Sequence, residues 1–219
     1  MSGAVPADDL AARRVQYETA GLDVTDVADD PVVQWQRWYD EAAAAAVAEP
    51  NAMVLATVDD EGRPDARFVL ARGLDERGFV FHTNYESVKS QQLTRHPHAA
   101  GVFSWLDLHR QVRVRGPVER VTPEESDAYF GSRPRGSQIG AWASPQSEVL
   151  AGRGELERMI ADVEARFAGT VVPRPDFWGG WRLGLAEIEF WQGRPSRLHD
   201  RIRYRPAPTG SWQVQRLAP

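Results

Sequence analysis

Met53-Val54-Leu55-Ala56-Thr57-Val58, Arg67-Phe68-Val69-Leu70-Ala71 and Gly78-Phe79-Val80-Phe81-His82-Thr83 are three short apolar runs. Asp59-Asp60-Glu61-Gly62 ends the first, and a turn between Asp75 and Gly78 opens the third. Short strands at this spacing, joined by Gly and Asp turns, predict antiparallel pairing.

The same pattern continues outward. Strands are expected at Ala100–Trp105 and Arg110–Val121, where Gln111, Arg113 and Arg115 alternate with Val112 and Val114. Three more are expected at 181–191, 197–204 and 211–217. Helices lie between them. Asp30-Pro31 reads as an N-cap followed by Pro at the first helical position, and Val32, Trp35, Tyr39, Ala42 and Ala46 follow at helical spacing up to Pro50. A short helix is expected from about Ser87 to Arg95. Thr122-Pro123-Glu124-Glu125 is a capping box that opens a helix to about Ser132. Leu156, Met159, Ile160, Val163 and Phe167 mark an amphipathic helix closed by Gly169. Residues 1–30, rich in Asp and poor in large apolar groups, are expected to form a flexible arm. The fold class expected for 31–219 is mostly β (α+β): one antiparallel domain with peripheral helices, built as a closed or split barrel.

Composition excludes several functions. The 219 residues carry a formal net charge of −5, unlike a nucleic-acid-coating protein. The absence of cysteine removes disulfides, thiolate metal sites and a Cys nucleophile. The longest apolar run, Ala42 to Ala48, is too short for a bilayer, and the N-terminus does not read as a signal peptide. A cytoplasmic protein with no membrane or nucleic-acid partner is the expectation. Lys89 is the only lysine, so lysine imine chemistry has one candidate. No glycine-loop phosphate cradle is present, and His96-Pro97-His98 reads as a helix end, with no metal site expected.

Three clusters carry chemistry. Lys89 falls in the first turn of a short helix, where a cation opposes the helix dipole. Either it points to solvent, or an anion bound there offsets it and Arg67 reaches the same anion. Tyr129 and Arg133 share a helix face, and Ser137 follows after a turn. They form either a solvated helix end or a phosphate-monoester site. In Arg197-Leu198-His199-Asp200-Arg201-Ile202-Arg203-Tyr204 a period of two places Arg197, His199, Arg201 and Arg203 on one strand face, with Leu198, Ile202 and Tyr204 opposite. Clustered arginines repel unless something anionic or electron-rich offsets them. Trp191 falls on the side of Glu187 and Glu189, as a surface residue or as a platform for a flat ligand. Together these features favour a planar, phosphorylated ligand.

Longer motifs carry a family resemblance. They include Phe81-His82-Thr83-Asn84-Tyr85, Arg110-Gln111-Val112-Arg113-Val114, the run Ser132 to Ser144, Gln146-Ser147, Trp178-Gly179-Gly180, Ile188 to Gly193, Arg197 to Arg201 and the terminal Arg216-Leu217-Ala218-Pro219. From about Arg14 to Pro219 the chain resembles the pyridoxamine (pyridoxine) 5′-phosphate oxidase family. The resemblance implies a homodimer of split barrels with FMN at the subunit interface. The matching FMN positions are Arg67, Phe68, Val69, Leu70, Ala71, Arg72, His82, Thr83, Lys89, Gln111, Gln146, Ser147, Trp191 and Arg201. Of these, Arg67, Lys89 and Ser147 would lie near the phosphate, and Gln111, Trp191 and Arg201 near the ring. The matching substrate positions are Arg14, Tyr17, Arg72, Tyr129, Arg133, Ser137, Arg197 and His199. Three positions depart from the family pattern: Arg72 stands for Lys, His82 for Tyr or Phe, and Val88 for Arg.

The implied reaction oxidises the C4′ alcohol or amine of pyridoxine or pyridoxamine 5′-phosphate to the aldehyde, pyridoxal 5′-phosphate. FMN takes the hydride, and O₂ reoxidises it to give H₂O₂. Arg197 would orient the substrate and stabilise charge, His199 would hydrogen-bond, and the arm around Arg14 and Tyr17 would act as a lid. Other flavin split-barrel enzymes of the phenazine-biosynthesis or deazaflavin type, or a non-catalytic flavin or pyridoxal-phosphate binder, are the competing readings.

Overall fold

The computed structural model describes residues 17–219, so the position of Arg14 lies outside the described residues. The first helix among the described residues, α1 (Pro31–Ala44), starts as expected: the Asp30 side chain accepts from Val32 N at 2.7 Å and Pro31 occupies the first turn. It ends six residues before Pro50. Val47 N donates to Ala42 O and Ala46 N to Ala43 O, with Ala46 in the left-handed region at φ 56°. That pattern closes a helix by satisfying its last carbonyls, usually around glycine.

The strands are β1 (Ala52–Val58), β2 (Pro64–Asp75), β3 (Gly78–Asn84), β4 (His98–Trp105), β5 (Arg110–Arg120), β6 (Trp178–Leu183), β7 (Glu187–Gln192), β8 (Asp200–Pro206) and β9 (Trp212–Leu217). All their pairings are antiparallel. Six strands close in the order β4-β1-β2-β3-β6-β5, with β5 returning to β4. Two long strands make closure possible. The first half of β2 pairs with β1; after a register shift between Ala71 and Gly73, its second half pairs with β3. A bulge there bends the strand and re-aims Arg72. The strand β5 divides likewise: Val118–Arg120 pair with β6, while Arg110–Arg115 pair with β7, which leads on to β8 and β9. The barrel is therefore split along β5.

Among the described residues five helices surround it: α1, α2 (Val88–Arg95), α3 (Pro123–Ser132), α4 (Arg135–Ala143) and α5 (Arg153–Arg166). Trp35 and Trp38 of α1 cover the barrel, packing against Phe79, Phe103, Trp105 and Phe190. A second apolar cluster of Phe130, Ile139, Phe167, Val172 and Trp178 seats α3, α4 and α5.

Several boundaries correct the sequence expectations. The segment 181–191 is two strands, broken at Gly184-Leu185-Ala186. The expected strand at 197–204 begins only at Asp200; Pro195–Arg197 form a 3₁₀ turn with Ser196 and Arg197 at φ 57° and 62°. Leu198 is consequently exposed, while Ile202 and Tyr204 face the core as the alternation requires. The run after Pro134 continues as α4, although it carries two glycines and only Ile139 and Ala143 are buried. The stripe on α5 is real but shallow: Ile160 and Val163 lean on the second cluster, and no residue of the helix is fully buried. Residues 17–30 form turns without helix or strand, yet Leu22 enters the main core and donates its N–H to Asp200 at 3.0 Å.

Candidate active site

A cavity of about 640 Å³ opens between β2, β3, α3, α4 and the start of β6. The strand β2 contributes Phe68, Val69, Leu70 and Arg72; β3 contributes His82, Thr83 and Asn84; α2 contributes Lys89. Tyr129 faces it from α3, Arg133 from the turn after α3 and Ser137 from α4, and Gln146 and Trp178 complete the wall. Arg72, Lys89 and Arg133 are its cations, and no carboxylate lines it among the described residues. Such a chamber suits anions.

Local chain chemistry builds the Lys89 end. Asn84 accepts from Glu86 N at 2.6 Å and its carbonyl accepts from Ser87 Oγ at 2.7 Å, turning the chain from β3 into α2. Ser87 is thereby used in the turn and does not cap α2. The Val88 N–H instead donates to Ser147 Oγ at 3.3 Å. Lys89 Nζ donates to Gln146 Oε1 at 2.7 Å, Thr83 Oγ1 at 3.1 Å and Ser87 Oγ at 3.3 Å. Burial and the nearby Arg67 charge push its pKa down to about 8. Arg67 itself is tied to Thr57, Gln92, Asp65 and the Leu55 carbonyl, beside the cavity and not in its wall. Ala71, also named by the family pattern, is buried in the barrel core.

At the other end, the Arg133 guanidinium stands 4.6 Å from the Trp178 ring centroid, and its buried Nη1 has no hydrogen-bond partner among the described residues. Burial and Arg72 both work against its charge, which Tyr129 partly offsets. The rings of His82, Tyr129 and Trp178 lie nearly parallel, with His82 and Tyr129 centroids 3.9 Å apart. Burial, Arg133 and Arg72 push the His82 pKa down to about 4, so the ring is neutral at pH 7. Trp178 belongs to a motif that carries the family resemblance, but it is not among the site positions that the resemblance implies. Its signal is the following Gly179-Gly180: a Cβ on Gly180 would lie 3.0 Å from His82 Nε2 and 2.5 Å from Val121, so the backbone must pass bare.

The remaining site residues gather elsewhere. Gln111, Trp191 and Arg201 are register partners across β5, β7 and β8 and form one row on the outer face of the sheet. A cavity of about 470 Å³ beside this row is lined by Tyr17, Leu106, His109, Gln111 and Trp191 among others, and shares no lining residue with the first. The His199 ring lies 4.6 Å from Trp191, and Tyr17 lies tilted against His109 at 4.1 Å and reaches His199 at 5.8 Å. His199 Nδ1 accepts from Arg194 N at 3.1 Å. Burial and Arg197 lower its pKa against the opposing effect of Asp200, and because Nδ1 accepts, the neutral ring carries its proton on Nε2. Arg197, exposed in its left-handed turn, stands beside it.

The counter-charge for the arginines of β8 comes from within the sheet, not only from any ligand. Glu189 accepts from Arg201 Nε and Nη2 at 2.8 and 3.1 Å and from Arg113 Nη2 at 2.7 Å. Glu187 pairs with Arg113, Arg115 and Arg205 and lies 3.8 Å from Arg203. Burial opposes ionisation of both carboxyls, but the guanidiniums prevail and hold them below the usual carboxylate range. Sequence alternation identifies this face without showing that Glu187 and Glu189 are buried in it.

The fold and these residues define a split β-barrel with a cationic cavity, and comparison narrows it. The family model for pyridoxamine 5′-phosphate oxidase matches residues 39–167, and that for the pyridoxine 5′-phosphate oxidase C-terminal dimerisation region matches residues 178–219. A pyridoxine/pyridoxamine 5′-phosphate oxidase of Burkholderia lata is 57% identical over 212 residues, covering 96% of this chain and 99% of that one. One from Synechocystis is 56% identical over 210 residues, covering 96% and 98%. The crystal structure of PhzG from Burkholderia lata with tetrahydrophenazine-1-carboxylic acid superposes with a TM-score of 0.86 at 30% identity, covering 94% of this chain and all of that one. The chain belongs to the pyridoxamine 5′-phosphate oxidase family.

Proposed function

We propose that this protein is an FMN-dependent oxidase that converts pyridoxamine 5′-phosphate and pyridoxine 5′-phosphate to pyridoxal 5′-phosphate, with O₂ as acceptor and H₂O₂ as product; the amine substrate also takes up water and releases ammonia. The observation that carries the reading is the cationic cavity: Arg72, Lys89 and Arg133 without a carboxylate, and a buried Arg133 Nη1 still lacking an acceptor among the described residues. A phosphate oxygen is the acceptor that this donor set fits. Tyr129 and Ser137 add hydroxyl groups at the same wall.

The donors fall into two sets, as two phosphate-bearing ligands require. Lys89, Thr83, Gln146 and Ser147 would hold the phosphate end of FMN; Tyr129, Arg133 and Ser137 would hold the substrate phosphate. Gln111, Trp191 and Arg201 would hold the flavin ring. When bound, FMN supplies the hydride acceptor and passes the electrons to O₂. The chain's own residues supply position and electrostatics. Arg197 orients the substrate, and its guanidinium stabilises negative charge. Neutral His199 offers its Nε2 proton as a hydrogen bond to the C4′ substituent. Tyr17, next to both His199 and Trp191, covers that end and excludes water.

A homodimer accounts for the separation of the two residue groups. The row of Trp191 and Arg201, with Arg197 and His199, falls within residues 178–219, matched by the dimerisation-region family model. A second copy would bring its row to the first copy's cavity, so that neither protomer holds a whole site.

The experiment is aerobic incubation of FMN-loaded protein with each 5′-phosphate, following aldehyde and H₂O₂. Stoichiometric appearance of both supports the proposal; no turnover of either substrate refutes it. PhzG, the structural neighbour crystallised with a phenazine carboxylate, supplies a second reading, so that compound belongs in the same assay. The Tyr129, Arg133 and Ser137 group favours the phosphorylated substrate.

A further inference from the structure

We infer that Glu189 is a positioning residue that fixes Arg201 against the flavin ring and sets the charge the flavin meets; this rests on the reading of the Gln111, Trp191 and Arg201 row given above. Glu189 is buried, 3% exposed, although it lies on the outer face of its strand. Its two carboxylate oxygens meet Arg201 Nε and Nη2, a two-point clamp that leaves the guanidinium one orientation. Arg201 Nη1 then donates to the Ala218 carbonyl at 2.9 Å, which fixes the third corner. Register explains the arrangement. Arg113, Glu189 and Arg203 are cross-strand partners in the row next to that of Gln111, Trp191 and Arg201. Glu189 reaches sideways into that neighbouring row, while Arg113 holds it from the other strand.

The charge count gives the clamp its second effect. Arg113, Arg201 and Glu189 together carry one net positive charge. The Glu189→Gln variant raises that to two without changing side-chain length. Added positive charge beside the ring favours the electron-rich reduced flavin, so the midpoint potential moves to more positive values. A glutamine amide accepts through one oxygen only, so in this variant Arg201 loses its fixed orientation and FMN binding weakens, by about tenfold or more.

The test uses FMN-loaded wild type, E189Q and the double variant R113Q/E189Q, with the FMN dissociation constant and the midpoint potential measured for each. Loss of FMN affinity and a more positive potential in E189Q are expected. In the double variant the net charge returns to one, so the potential returns towards wild type while FMN binding stays weak. The double variant also removes both members of the Arg113–Glu189 pair, which keeps the test informative if E189Q alone does not fold. An E189Q protein with wild-type potential and wild-type FMN affinity, altered only in melting temperature, overturns the inference and leaves the proposed function standing. A wild type that takes up no FMN overturns both.

Discussion

Lys89 donates to Gln146 Oε1 at 2.7 Å, and that bond joins α2 to the segment after α4 at the edge of the cationic cavity. Neither partner is held by a carboxylate among the described residues, so the ammonium charge is free to serve an anion. Replacing it with Met should weaken FMN binding by roughly 10- to 100-fold, the worth of a charge-assisted hydrogen bond of about 1.5–3 kcal/mol. The lysine pKa of about 8 adds a sign. Anion binding favours the protonated amine, so affinity should be level below pH 8 and fall as pH rises above it. Fluorescence titration of FMN from pH 6.5 to 9.5 reads both effects. A Lys89→Met protein with wild-type affinity and the same alkaline decline would remove Lys89 from the site.

Arg133 makes a separable prediction. Its unpartnered Nη1 lies with Tyr129 and Ser137, away from the Lys89 cluster in the same cavity. Arg133→Ala should raise KM for the phosphorylated substrates by roughly 10- to 100-fold while the FMN content stays at the wild-type level. Flavin absorbance per chain and initial rates check this. Loss of FMN with an unchanged KM would reverse the assignment of the two phosphate ends.

Much of this arrangement is legible in the amino-acid sequence, for reasons that differ between elements. The strands around Met53–Val58 and Gly78–Thr83 announce themselves because a half-buried strand imposes a period of two and turns demand Gly and Asp. The capping box at Thr122 is legible because its two reciprocal hydrogen bonds need those residue types at that spacing, and both form. The helix α4 leaves little trace, since its two glycines interrupt it and only Ile139 and Ala143 are buried, too few for a clear apolar stripe. The partnering of Arg201 is hidden as well. A period of two tells which residues share a face; it does not tell how two strands align, and only the register of Trp191 with Arg201 places Glu189 within reach. The placement of Arg197 in a turn escapes the pattern because Pro195 opens a left-handed kink that alternation does not show.

Gly193 governs Tyr17. A Cβ there would sit 2.6 Å from Tyr17 Cδ2 and 2.9 Å from His109 Cβ, closer than packed atoms allow. Thr19 also donates to the Gly193 carbonyl, so this residue is the seat of the arm next to Tyr17. Gly193→Ala should lift Tyr17 off His199 and Trp191 and raise KM about 2- to 10-fold, the worth of the lost aromatic contacts. Tyr17→Ala should do the same, and the double variant should be no worse than either single one, because both remove one interaction. Additive effects in the double variant would show that Gly193 acts on something other than Tyr17.

His82 predicts how stability depends on pH. Its half-buried ring has both nitrogens shielded from solvent and neither bonded among the described residues, and its pKa is held at about 4. In the unfolded chain the ordinary value of about 6.5 applies. Between those values the unfolded state binds a proton that the folded state refuses. The neutral ring's contribution to stability is therefore fully present above pH 6.5 and is lost as pH falls towards 4, up to roughly 3 kcal/mol. Many carboxylates titrate in the same range, so the measurement must be a difference. His82→Phe keeps an aromatic ring beside Tyr129 and Trp178 and has nothing to protonate. Its unfolding free energy, measured in urea at pH 7 and pH 4.5, should fall less than that of the wild type. At pH 7 it should be no less stable, because two unsatisfied nitrogens leave the interior. Parallel acid profiles for the two proteins would mean that His82 is protonated as easily folded as unfolded, and the neutral ring stack over the cavity would have to be abandoned.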